Sequence, residues 1–201
     1  NSDDKKVTYW NSFTGQHKSR HDDTIDVQQH KGLIVVSTGR FNNAYLEDDD
    51  PNVAKPSTND THPIVHLSSE AKQKSVYGVV AGRGDADGDG NLIFQMGNIA
   101  QNLGQSKDDD TKRIAVNSIG EGAIWVCNIS GNLENGDYIT TCEIPGYGML
   151  QDDDLLHNYT VAKITMDCDF DLNSDKYECV EVTHNGQTYK AAFVGCTYHC
   201  G

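Results

Sequence analysis

Ser12 and His17 stand five residues apart in the stretch Asn11-Ser-Phe-Thr-Gly-Gln-His-Lys18, with a lysine beside the imidazole. A serine near a chain terminus attacks the peptide bond that precedes it when a base lies within hydrogen-bond reach. Ser12 with His17 or Lys18 supplies such a pair. So does Ser2 with Lys5 or Lys6, which places the scissile bond at Asn1–Ser2. The chemistry would be a single self-cleavage. The competing reading packs Phe13 into a core and leaves Thr14-Gly15 as a turn. Glu121, between Gly120 and Gly122 in an otherwise apolar stretch, is a further candidate. Burial would raise its pKa and make it an acid or base; at a turn it would instead accept backbone amides.

Asp85, Asp87, Asp89 and Asn91 alternate as oxygen donors do in the first half of a calcium loop, with Gly90 at the sixth position. Met96 stands where the closing glutamate belongs, so the alternative is a solvated Asp/Gly hairpin turn. Asp triplets at 48–50, 108–110 and 152–154 read as solvated charge runs, or as cation ligands between subunits. Six cysteines, Cys127, Cys142, Cys168, Cys179, Cys196 and Cys200, all lie in the second half. An even count in a β-rich region favours disulfides, of which 15 pairings exist. Cys168 and Cys179 bracket a polar stretch and are placed to staple a hairpin. The rivals are free thiols, or a zinc site at Cys196-Thr-Tyr-His-Cys200, which no second Cys pair completes. Sequons at Asn59, Asn128 and Asn158 are candidate glycosylation sites and, with the cysteines, fit an extracellular protein.

The 201 residues suffice for one domain with a core of its own. A formal charge of −14 argues against a nucleic-acid partner and against anionic membrane. No apolar run approaches the ~20 residues that span a bilayer. A chain opening on Asn1 is expected to be a processed product or a fragment.

Short β-branched or alternating runs recur: 32–39, 63–68, 75–82, two runs around Ser118-Ile-Gly-Glu-Gly122, then 136–142, 146–150 and 159–170. Residues 69–75 read as one helical turn capped by Ser69. A closing hairpin turns at His184-Asn-Gly186. The fold class expected is mainly β, with many short antiparallel strands in a sandwich or barrel, an extended N-terminal arm and little helix. Residues 1–31 read as that arm and 32–201 as the β-rich domain.

Several stretches together look like one module: "SFTGQHK", "GLIVVSTG", "PIVHLSSEAKQKSVYGVV", "RIAVNSIGEGAIWVCN" and "NYTVAKITMDCDF". The module resembles the C-terminal domains of fibre-like proteins of cyanophages and large algal viruses. It is more distantly similar to the peptidase G2 type of intramolecular chaperone. The resemblance covers roughly residues 11–201 and implies a structural protein: a subunit or C-terminal oligomerisation domain of an extracellular or virion-surface fibre. Its partners would be copies of itself and an upstream fibre segment, with glycans as a further class. It requires no cofactor, and Ca2+ is the one candidate. Two alternatives follow: a self-cleaving intramolecular chaperone released before a Ser, with Ser2, Ser12, His17 and Glu121 as candidate residues, and a calcium-dependent surface- or carbohydrate-binding module.

Overall fold

The computed structural model describes residues 15–22, 24–27, 29–43, 56, 61–83 and 113–200. The mainly-β expectation holds. Ten strands form one sheet: β1 (Gly15–His21), β2 (Ile34–Asn43), β3 (Thr61–Leu67), β4 (Val76–Arg83), β5 (Arg113–Cys127), β6 (Tyr138–Thr141), β7 (Gly148–Leu150), β8 (Thr160–Ile164), β9 (Glu178–His184) and β10 (Gln187–His199). One 3₁₀ turn, Asn128–Ser130, follows β5.

The pairing pattern explains why the strands are short and numerous. β1 pairs with β3, β3 with β2, β2 with β4, β4 with β5, and β5 returns to β1. That is a closed ring of five strands. A second ring runs from β5 to β7, β6, β8, β10 and back to β5. The two rings share the 15-residue β5: Arg113–Ile119 serves the first and Ile119–Cys127 the second. Both parallel pairs, β1–β3 and β5–β7, help to close a ring. Closure removes unpaired edges, which an open sheet leaves exposed.

Each ring has its own core. Val35, Val65, Val80, Ile114 and Val116 fill the first, joined by Ile25 and Val27 from the β1–β2 connection. Ile124, Val126, Ile139, Ile164, Phe170 and Val194 lead the second. Ile34 and Val79, opposite one another on β2 and β4, face away from the first core and pack into the second. This follows from strand alternation, since neighbours along a strand point to opposite faces. A third, smaller cluster holds Cys127, Cys142, Ile144 and Ala191 beneath half-buried Trp125, Val180 and Val182.

Three local expectations are corrected. The stretch 113–128 is one continuous strand rather than two runs around a turn. Residues 69–75 form turns and not a helical one, because Lys72 sits at φ 52°, outside the right-handed helical region. Within the stretch expected as an arm, Gly15–His21 is an integral strand held between β3 and β5. The closing hairpin is as expected: Asn185 at φ 50° and Gly186 at φ 78° make the turn between β9 and β10.

Candidate functional site

In a sheet closed almost everywhere, β9 stands out. Among the described strands it alone has a single neighbour, β10. Its seven residues pair from Glu178↔Phe193 to His184↔Gln187 without a bulge. Val180 and Val182 pack into the small third cluster, so the strand is anchored through one face. Its sequence, Glu-Cys-Val-Glu-Val-Thr-His, holds no proline and no lysine, and its acidic side chains are the exposed Glu178 and Glu181. An edge without proline or a bulge carries a row of backbone N–H and C=O groups to which another strand can add.

The residues singled out for chemistry are not brought together. Ser2, Ser12, Asp85, Asp87, Asp89, Asn91 and Asn59 lie outside the described residues. His17 is exposed on β1, its ring centroid 5.8 Å from that of Tyr77. It pairs with Val116, whereas Glu121 lies five residues further along β5. At ~3.3 Å per residue that separates them by about 16 Å. Glu121 is exposed, in mid-strand, and neither buried nor at a turn.

Gly122, next to Glu121, has a packing role that no local pattern reveals. A Cβ on Gly122 would lie 2.3 Å from the Tyr198 hydroxyl oxygen and 2.7 Å from its ring. Tyr198 lies across the glycine, donates to the Ala123 carbonyl at 2.9 Å and accepts from the Ala123 amide at 3.1 Å. Burial pushes its pKa up to about 12. On the opposite face the registers line up Glu121, Thr197, Lys163 and Tyr138 across β5, β10, β8 and β6. His199 joins this outer row: its Nε2 is 3.3 Å from the Thr197 hydroxyl and its ring is edge-on to Tyr138. Burial, and then the Lys163 charge, lower the His199 pKa.

The cysteines and sequons are placed by the same alternation. Cys196 and Cys200 point into the second core while His199 points to the outer face, so Cys196-Thr-Tyr-His-Cys200 does not converge on one centre. Cys168 pairs through its backbone with Leu133, Cys179 lies opposite Ala192, and both pack at the second core as separate thiols. Cys127 and Cys142 meet, sulfur to sulfur, at 3.4 Å. Asn128 is half-buried and its side-chain oxygen accepts the Lys190 amide at 3.0 Å; Asn158 is exposed.

The Asp triplet at 152–154 is not a free charge run. Asp152 pairs with Lys72 at 2.7 Å, which lowers its pKa. Asp153 accepts the Leu155 amide at 3.0 Å and contacts His157 Nε2 at 3.0 Å, and these bonds hold its carboxyl below the usual range. Buried Gln151 ties the loop inward by donating to the Leu155 carbonyl at 2.7 Å and accepting from Thr160 at 2.7 Å. The loop therefore presents Leu155 and Leu156, both more than 60% exposed, on a fixed polar frame. An open acidic cleft of about 740 Å³ lies between residues 132–135 and 167–177, bordered by Glu134, Asp167, Asp171, Asp175 and Tyr177. Its carboxylates are partly used internally: Asp169 accepts the Tyr177 hydroxyl, and Asp167 the Asn135 amide at 2.8 Å. No group of three or more metal-ligating side chains is found among the described residues.

No protein-family model matches the chain, and no curated protein matches it. The functional reading therefore rests on geometry and on the resemblance noted above.

Proposed function

We propose that this chain is a structural and assembly protein, a subunit or C-terminal oligomerisation domain of an extracellular or virion-surface fibre that self-associates through its β-rich domain. The observation that carries this reading is the edge that β9 presents among the described strands. Among the described strands β9 alone has one neighbour, and it carries neither a proline nor a bulge. Addition of a strand from the next copy, the N-terminal segment being one candidate donor, is a heterologous contact, which builds an open filament unless the rotation closes. Two β9 edges meeting face to face would instead close a twofold dimer. A self-cleaving chaperone finds less support, because His17 on β1 and Glu121 on β5 lie about 16 Å apart along the sheet.

The test uses proline at two adjacent positions, Glu181→Pro and Val182→Pro. Adjacent N–H groups point to opposite sides of a strand, so one substitution removes a bond to β10 and the other removes an outward donor. The expected outcome is that one of the two blocks association in sedimentation at micromolar concentration while the other mainly lowers the melting temperature. Association unchanged in both would exclude β9 as the contact.

A further inference from the structure

We propose that Cys127 and Cys142 close a disulfide, the one disulfide of this chain, leaving Cys168, Cys179, Cys196 and Cys200 as thiols. Cys127 ends β5 and Cys142 follows β6, and their Sγ atoms are in contact at 3.4 Å. A disulfide requires about 2.05 Å, so closure draws the sulfurs together by roughly 1.4 Å, within reach of small rotations of two side chains. Both residues are fully buried beside Ile144 and Ala191. Their other polar contacts are weak ones to carbonyls, Gly148 O at 3.1 Å, Tyr147 O at 3.3 Å and Ile144 O at 3.8 Å. Losing two thiol protons there gives up little hydrogen bonding.

The other four cysteines make no sulfur–sulfur contact among the described residues. Cys196 and Cys200 are four residues apart along one extended segment, about 13 Å, beyond the ~7 Å that a disulfide tolerates between Cα atoms. Burial pushes both of their thiols up to about 12, which makes them poor nucleophiles. Cys127 differs: the hydrogen bond with Cys142 pulls its thiol below the ordinary value despite burial.

The chemistry is thiol–disulfide exchange with a small disulfide such as oxidised glutathione. The Cys127 thiolate attacks one sulfur of the oxidant and releases a thiol. Cys142 then loses its proton, attacks the Cys127 sulfur and expels the second thiol. Two protein thiols are oxidised and one disulfide is reduced to two thiols. Because both sulfurs are buried, the exchange takes place while the β6–β7 hairpin is open. The bond would tie the end of β5 to the β6–β7 turn of the second ring and so resist opening of that hairpin.

The test incubates the purified chain with oxidised glutathione, then denatures it in the presence of iodoacetamide and maps the peptides. The expected result is alkylation at Cys168, Cys179, Cys196 and Cys200, a linked peptide pair joining Cys127 to Cys142, and six alkylated cysteines after prior reduction. Reduction is also expected to lower the melting temperature by roughly 10 °C, an effect absent from the Cys127→Ser/Cys142→Ser double variant. Full alkylation after oxidation, a glutathione adduct that does not resolve, or a link between any other pair would overturn the assignment.

Discussion

Among the described residues the first ring closes around seven buried side chains, all valine or isoleucine, whereas the second closes around fifteen that include Phe170, Leu133, Tyr198 and two cysteines. β-branched aliphatics suit a pleated surface and need no special backbone. Large aromatic groups need room made for them, and in the second ring glycines make it. Tyr198 lies over Gly122, and Phe193 with Trp125 leaves no space for a side chain at Gly32. Phe170 itself enters the core from a left-handed backbone, φ 57°, which costs a non-glycine residue roughly 1–2 kcal/mol. The second ring also carries β9 and the thiol pair. The larger share of the described apolar core thus lies in the C-terminal half, beside β9 and the thiol pair.

That asymmetry is best broken by truncating each core in turn. Phe170→Ala is expected to cost about 3–5 kcal/mol and Ile114→Ala about 2–5 kcal/mol, with the Phe170 variant the worse, as read from urea midpoints at unchanged m-value. A larger loss at Ile114 would make the first ring the dominant one. A smaller effect sharpens the glycine argument: Gly122→Ala should cost about 1–3 kcal/mol by overpacking against Tyr198. Combining it with Tyr198→Ala should cost less than the sum of the two single changes. Strict additivity would mean that the two residues do not touch. The smallest expected effect is at high pH. Tyr198 has its folded pKa raised from 10.0 to about 12, so its contribution is complete below pH 10 and is lost as pH rises through about 12. Tyr198→Phe should therefore flatten part of the alkaline fall in stability, followed by circular dichroism across that window.

Much of the strand inventory was legible because it depends on short-range patterns. The runs at 32–39, 63–68 and 75–82 are β-branched or alternating and each holds a strand, while of the run 159–170 only Thr160–Ile164 is one. The Asn185–Gly186 turn was legible because few residues other than these accept positive φ. The continuity of β5 was hidden because Gly122, which makes room for Tyr198 on a distant strand, looks like a turn residue in Gly120-Glu-Gly122. Glu121 drew attention as a lone carboxylate among apolar residues, but the face it occupies is set by its partners Thr197 and Lys163 on other strands. The feature that carries the functional reading had no local signal. Nothing in Glu-Cys-Val-Glu-Val-Thr-His marks an edge, since edge status is a property of which strands lie beside it. The same holds for Cys127 and Cys142, whose meeting depends on β6 and β7 folding back on the end of β5.

The measurement that bears most directly on the account is cryo-electron microscopy of the full chain at micromolar concentration, with sedimentation on the same sample. The account predicts an ordered assembly in which a strand from a neighbouring copy lies beside β9 and continues its ladder. A compact monomer in sedimentation, or an assembly in which β9 remains solvent-facing, would contradict it.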